Sequence, residues 1–168
     1  MRIEIYVNTY AKHNQGYVLG GKWLYPADYD SREAFYAACY ALHSDESDPE
    51  LMFSDASDIP YNQNGCTEGG YVNWDYVEGF KQAKQESNDN AYYEFVENFN
   101  NTDYDAFKDA YYGEAKDEEA FADHYLEQTG TFDLIPENLQ GYFDVKHFAR
   151  DLFMSDFIFC NGYVFRNC

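Results

Sequence analysis

Apolar residues recur along this chain with two periods, and the shorter period predicts strands. Ile3, Ile5 and Val7 alternate with polar neighbours, which indicates a half-buried strand. Residues 18–25 indicate a second strand, which ends at Pro26 because proline cannot continue a hydrogen-bonded ladder. The apolar run 51–53 lies within an acidic loop and predicts a short edge strand. The first 60 residues therefore predict a small sheet.

The longer, helical period accounts for most of the remaining apolar residues. A helix over 31–43 is predicted, with Asp30 and Glu33 as its capping box. The same spacing predicts further helices beginning at Trp74 and covering 92–99, 102–111, 117–129 and, after a short turn at Pro136, 144–152. Near the C-terminus, Asn161-Gly162 separates two apolar runs, a strong signal for a type I′ hairpin.

Breaks in these patterns divide the chain into three predicted units of an α+β protein. The polar, glycine-containing stretch 62–70 is the first break and Gly113 the second. The units are an N-terminal α+β domain (1–61), an acidic helical domain (62–112) and a helical domain with a C-terminal β-hairpin (113–168).

Charge adds the most unusual property of the sequence. The 168 residues include 31 Asp and Glu against 11 Lys and Arg, for a net charge of −20, and each third of the chain carries an excess of six or seven acids. Such charge can prevent folding, but aromatic residues form 20% of the chain and can supply a core. We therefore expect folded units with aromatic cores beneath carboxylate surfaces. No basic patch is present, which argues against direct nucleic-acid binding.

Several classes of protein do not fit the sequence. No apolar run approaches the roughly 20 residues that a membrane span requires, and residues 1–4 lack the apolar core of a signal peptide. Four cysteines (Cys39, Cys66, Cys160 and Cys168) lack ligand spacing. The expectation is a cytoplasmic protein with free thiols and no membrane partner.

Acidic side chains fall repeatedly on the polar faces of the predicted helices. An acid row of Glu119, Asp123 and Glu127 is spaced at i, i+4 and i+8, and like charges at this spacing destabilise a helix by a few tenths of a kcal/mol per pair, roughly. The candidate surface combines this row with similar positions upstream: Glu94, Glu97, Asp105, Asp109, Glu119, Asp123 and Glu127. Two interpretations stay open, a face kept for solubility and a field that imitates the closely spaced phosphates of DNA.

Other chemistries have weaker signals. Paired carboxylates could serve a hydrolase as general acid and base, but 31 acids produce close pairs by chance. The acidic loop 45–58 lacks the spacing of a calcium loop. His13, His43, His124 and His147 lie far apart, and each is expected at the surface or its boundary. We therefore predict no catalytic residue, no metal site and no cofactor, with a hydrolase or a plain acidic adaptor as alternatives.

Two segments resemble a known family. Residues 135–139, 142–144 and 148–152, with the tail 156–165, resemble the C-terminal signature of the ArdA antirestriction proteins. Residues 5–8, 14–16, Gly20-Gly21 and Trp23 look like the first strand, turn and Gly-x-Trp strand of that family, and residues 53–60 look like its acidic loop. Gln15 departs from the usual acid, and one extra glycine precedes Gly21.

The resemblance implies a non-enzyme. Members of the family are elongated, three-domain, acidic proteins that form homodimers and mimic bent DNA. They occupy the DNA-binding groove of type I restriction-modification enzymes, including the methyltransferase core, inside the bacterial host cell. Incoming plasmid, transposon or phage DNA thereby escapes restriction. The apolar hairpin 157–165 is a candidate dimer interface.

Overall fold

The structure, a computed structural model, describes residues 1–17, 19–65 and 69–167. Its contacts divide the chain into two compact units, residues 1–104 and 105–168. About half of the protein is helical and each unit contains a three-stranded antiparallel sheet, so the predicted α+β class is confirmed. The division into three domains stays a prediction.

Unit 1 is built on a sheet whose central strand was the first one predicted. Strand β1 (Glu4–Thr9) lies between β2 (Lys22–Leu24) and β3 (Leu51–Ser57), antiparallel to both. Ile5 and Val7 of β1 and Ile3 just before it are fully buried, as the alternation predicts. Strand β3 is the predicted edge strand, although it runs four residues beyond the apolar run. Strand β2 is shorter than predicted, and Val18 lies outside the described residues.

Helices cover the rest of unit 1. Helix α1 (Tyr10–Asn14) follows β1, and Ser31 caps α2 (Arg32–Leu42) by accepting a hydrogen bond from the Ala34 amide at 3.2 Å. The remaining helices of the unit are α3 (Tyr61–Asn64), α4 (Trp74–Gln85) and α5 (Asp89–Phe99), followed by α6 (Tyr104–Ala110), which begins at the last residue of unit 1.

The core of unit 1 is aromatic. The rings of Tyr76 and Tyr92 are stacked with centroids 5.6 Å apart, and both side chains are fully buried. Their hydroxyls reach backbone carbonyls, Tyr76 donating to Asp58 at 3.1 Å and Tyr92 to Thr102 at 2.7 Å. Each tyrosine thus buries a large ring without leaving its hydroxyl unsatisfied, which is the condition for placing tyrosine in a core.

Unit 2 packs two helices on its sheet. The unit begins with strand β4 (Tyr111–Glu114), followed by helices α7 (Glu118–Gln128), α8 (Glu137–Gln140) and α9 (Val145–Ser155). A hairpin of β5 (Phe157–Cys160) and β6 (Tyr163–Arg166) ends it, and the strand order in the sheet is β4-β6-β5. Phe121 of α7 packs against Phe157 of β5 with ring centroids 5.0 Å apart. Positive φ angles at Asn161 and Gly162 agree with the predicted type I′ turn.

Three local predictions were wrong, and a fourth is described only in part. The cap of α2 is Ser31, not Asp30, because its hydroxyl is one residue nearer to the first free amide. The predicted linker 62–70 begins inside helix α3, and its residues 66–68 lie outside the described part. Tyr111 leaves the predicted helix and begins β4, and Gly113 lies within that strand beside a register shift rather than at a break.

Gly79 permits the stacking in the core of unit 1. A Cβ at this position would lie 2.1 Å from the Tyr92 hydroxyl oxygen and 2.5 Å from the ring carbon that carries it. We predict that Gly79→Ala lowers the free energy of unfolding by about 1–3 kcal/mol, because crowding outweighs the helix propensity gained. Gly141→Ala is the control, since a Cβ there meets nothing within 4 Å. Urea denaturation of both variants measures the change. A Gly79→Ala protein as stable as the wild type would contradict the prediction.

Candidate functional site

The acid row lies on the exposed face of α7, as predicted. Asp117 caps this helix by accepting a hydrogen bond from the Ala120 amide at 2.8 Å. The opposite face buries Phe121, Ala122 and Leu126. Because that packing fixes the rotation of the helix, its polar face must be exposed: Glu119, Asp123 and Glu127. Within the described residues none of these three carboxylates forms an ion pair, and Lys116 reaches Asp117 instead, at 4.0 Å.

Helix α5 carries the predicted pair Glu94 and Glu97. Glu97 is exposed, whereas Glu94 is half-buried, so its carboxylate is less open to solvent than predicted. Burial, followed by the charges of Glu97 and Glu94, raises the pKa of the Tyr93 hydroxyl beside them. The contribution of the two carboxylates, which is smaller than that of burial, is the local negative field acting on a neighbouring group.

Helix α6 presents the other two candidates. Asp109 and Asp105 are both exposed. The Oδ1 of Asp105 is 2.8 Å from the Nζ of Lys108, and both side chains are close to half exposed or more. Such a surface pair contributes little to stability, but it neutralises part of the charge at Asp105. The guanidinium of Arg166 donates to the backbone carbonyl of Asp109 at 3.3 Å and leaves that carboxylate to solvent.

An open groove of about 630 Å³ lies at the N-terminal ends of α7 and α9. Acidic and basic side chains both line it: Asp117, Glu118, Glu119, Asp144, Lys146, His147, Ala149, Arg150 and Phe159. Sequence reasoning missed this groove because its two sides are nearly 30 residues apart along the chain. Lys146 and Arg150 line it together with Glu119, whereas Asp123 and Glu127, further along α7, do not line it.

A second cluster, in unit 1, was also missed. The Lys12 cluster consists of Lys12, His43, Asp45 and Glu46. Donor atoms of the last three lie within 4.8 Å of one another, close enough to surround a cation. The Lys12 ammonium already occupies that position, 2.9 Å from Nδ1 of His43, 2.8 Å from Asp45 and 3.6 Å from Glu46. We therefore interpret the cluster as a cation site filled by the protein itself.

The histidines and cysteines are only partly as predicted. His13, His124 and His147 are exposed, but His43 is fully buried, so the prediction of a surface or boundary position was wrong for it. Cys39 and Cys160 are buried, and burial raises the pKa of the Cys39 thiol to about 12. Cys66 and Cys168 lie outside the described residues.

Two described carboxyl groups, at Glu33 and Asp45, have a clearly shifted pKa. In both groups the pKa is lowered. The main causes are a backbone hydrogen bond at Glu33 and the Lys12 ammonium at Asp45. A hydrolase acid would need a raised pKa.

No described helix is long and apolar enough to cross a membrane.

Comparison with known proteins defines the class. A family model described as antirestriction protein (ArdA) matches residues 5–165, and antirestriction proteins of this kind are inhibitors rather than enzymes. The chain belongs to the ArdA antirestriction family, whose members interact with type I restriction enzymes. No individually curated protein matches it. The match spans both signatures quoted above and the acidic helices between them, so the predicted resemblance is confirmed.

The acid row should cost helix stability. Asp123 has a like charge four residues away on each side, so we predict that Asp123→Asn raises the free energy of unfolding by roughly 0.4–1 kcal/mol. Asp and Asn have similar helix propensities, so the change reports charge. Glu118→Gln is the matched control of opposite sign. That residue lies in the first turn, where a negative charge is stabilising. Thermal denaturation measures both changes. Melting temperatures that shifted in the same direction in both variants would contradict the argument.

Proposed function

We propose that this protein is a DNA mimic that occupies the DNA-binding groove of type I restriction-modification enzymes, including their methyltransferase core. It thereby protects incoming mobile DNA in a bacterial host. The family assignment supplies antirestriction activity; the mechanism is our proposal. The observation that carries it is the exposure of acids on helix faces without bases to compensate them, above all at Asp123 and Glu127.

The mechanism is electrostatic. A groove lined by Lys and Arg attracts carboxylates as it attracts phosphates, and such steering raises association rates. Consecutive members of the acid row are separated by about 6 Å along the helix axis, so several can meet one basic groove together. Phosphate-like contacts carry no base information, so inhibition should not depend on the recognition sequence of the target enzyme.

A homodimer is part of the proposal. In the hairpin, Phe157, Val164 and Phe165 are buried, whereas Ile158 and Phe159 are half-buried, so the hairpin offers only part of its apolar surface to a partner. The segment before α9 fits an interface better, because its Leu134 and Tyr142 are more than four-fifths exposed. Exposed apolar groups of this kind mark protein contacts. The three-domain division and a cytoplasmic location also remain part of the proposal.

Two functions other than DNA mimicry can be distinguished by experiment. A carboxylate-dependent hydrolase would need two close acids, one with a raised pKa, and the lowered values at Glu33 and Asp45 do not favour it. A plain acidic adaptor would bind the restriction enzyme without displacing its DNA. Competition with DNA therefore separates the mimic from the adaptor.

The central test is displacement of DNA. We expect that titrating the protein into a type I methyltransferase bound to labelled DNA releases the label, and that raising salt from 50 to 200 mM weakens the inhibitor's own affinity for the enzyme severalfold. Fluorescence anisotropy measures release, and titration without DNA measures direct affinity. Unlabelled duplex is the positive control, and polyglutamate controls for acidity alone. Binding without displacement at low salt would indicate the adaptor.

Removal of acids should show a distributed field. We expect Asp123→Asn alone to leave inhibition within a few fold, because many charges share the contact. The triple variant Glu119→Gln, Asp123→Asn, Glu127→Gln should weaken it by at least tenfold. A triple variant with the same net charge is the control, changing exposed acids outside the candidate faces: Asp48→Asn, Glu50→Gln and Asp55→Asn. Loss of inhibition by folded Asp123→Asn would contradict a distributed field, and equal effects of the triples would contradict the assigned surface.

A further inference from the structure

The strongest feature outside the acidic surface is the Lys12 cluster in unit 1. His43 is fully buried at the end of α2, beside α1 and β1. Histidine is the side chain whose unperturbed pKa, about 6.5, falls nearest to physiological pH. Protonation of the His43 imidazole near physiological pH would therefore change the charge inside the Lys12 cluster.

The contact with Lys12 fixes the protonation state of His43. An ammonium group has donors and no lone pair, so the 2.9 Å contact from its Nζ requires Nδ1 of His43 to accept. The imidazole is then neutral, with its hydrogen on Nε2. That nitrogen has no hydrogen-bond partner among the described residues. The ring is thus held by a single polar contact, which exists only in the neutral form.

Charged groups approach His43 from two elements, and backbone from a third. Lys12 comes from α1, and Asp45 and Glu46 come from the loop after α2. From β1, the Val7 carbonyl favours the protonated ring without forming a good hydrogen bond, and the hydroxyl of Thr9 donates to Glu46 at 2.6 Å. Burial and then the Lys12 charge lower the pKa of His43, against the opposing effect of the acids.

We propose that the Lys12 cluster is a proton-operated clasp: protonation of His43 expels the Lys12 ammonium and releases helix α1 from the loop that begins at His43. Two positive groups cannot share a 2.9 Å contact, because a protonated ring has no acceptor there and repels the ammonium. The carboxylates of Asp45 and Glu46 can then pair with the new imidazolium. The proton thus exchanges one cation of the cluster for another, and α1 loses its side-chain tie to the loop, keeping the bond from the Tyr10 amide to the Glu50 carbonyl at 3.1 Å.

The pH window follows from the direction of the shift. The pKa of His43 is lower in the folded protein than in the unfolded chain, where it is about 6.5. Neutral His43 therefore gives the clasp its full stabilisation at pH values above about 6.5. That stabilisation is lost as pH falls below 6.5 toward the folded pKa. The clasp is therefore closed at neutral pH and opens in mild acid. This inference is independent of the DNA-mimic proposal, because it concerns only unit 1 and needs no partner.

The test is an NMR titration of the full chain from pH 8 to 5. In the wild type we expect the His43 imidazole to titrate below about 6.5, the ordinary value for histidine. Amide exchange in α1, corrected for the intrinsic rate, should rise at least tenfold through the same midpoint. Lys12→Gln should raise the His43 midpoint by about one pH unit and Asp45→Asn should lower it, since they remove opposite charges. Lys22→Gln, an exposed lysine of β2, should leave it unchanged.

Several results would overturn the clasp. One is a wild-type His43 that titrates while α1 exchange stays constant, which would make the proton irrelevant to the helix. Another is a midpoint that Lys12→Gln and Lys22→Gln shift equally, which would reduce the effect to net charge. A wild-type His43 that stays neutral throughout would exclude the device. The wild-type titration decides the matter even if a variant fails to fold.

Discussion

Mutual repulsion among acids is the constraint on which this structure depends. A net charge of −20 on 168 residues opposes compaction, and each unit must offset it with what it buries. Unit 1 does so with stacked tyrosines whose hydroxyls reach backbone carbonyls, and unit 2 with Phe121 and Phe157 between helix and sheet. Aromatic side chains bury a large area each, which lets small cores carry a densely acidic surface. The same cores fix which face of each helix is left for the acids.

Local patterns predicted what local physics decides. The helical spacing over 117–129 predicted that the acid row lies opposite the buried face of α7. The type I′ hairpin followed from two residues, Asn161 and Gly162, because few other turns accept positive φ at both positions. In these segments the chain within one or two turns contains the interactions that determine the structure.

Features made by distant residues could not be predicted in this way. Strand β4 is four residues long, contains Gly113 and exists because it pairs with β6 about 50 residues later. Buried His43 is in contact with Lys12, which lies 31 residues earlier. The groove at the N-terminal ends of α7 and α9 also joins separate segments. Periodicity cannot report such contacts, because each segment alone is too short or too polar to indicate its partner.

The few basic residues explain how structure and acidic surface coexist. In the Lys12 cluster, Lys12 donates to Asp45. Lys81 donates to the Tyr29 carbonyl 52 residues away, and Arg2 pairs with Asp28. Arg166 reaches the carbonyl of Asp109 across 57 residues. These cations tie distant segments of a unit together, and Lys81 also pairs with Glu78 within its own helix, as Lys108 does with Asp105. A protein selected only for solubility could intersperse Lys within its acid rows and gain helix stability, as i,i+4 pairs do. Placing scarce cations at tertiary contacts, while Asp123 and Glu127 stay uncompensated, is the arrangement expected when the negative field itself has a function.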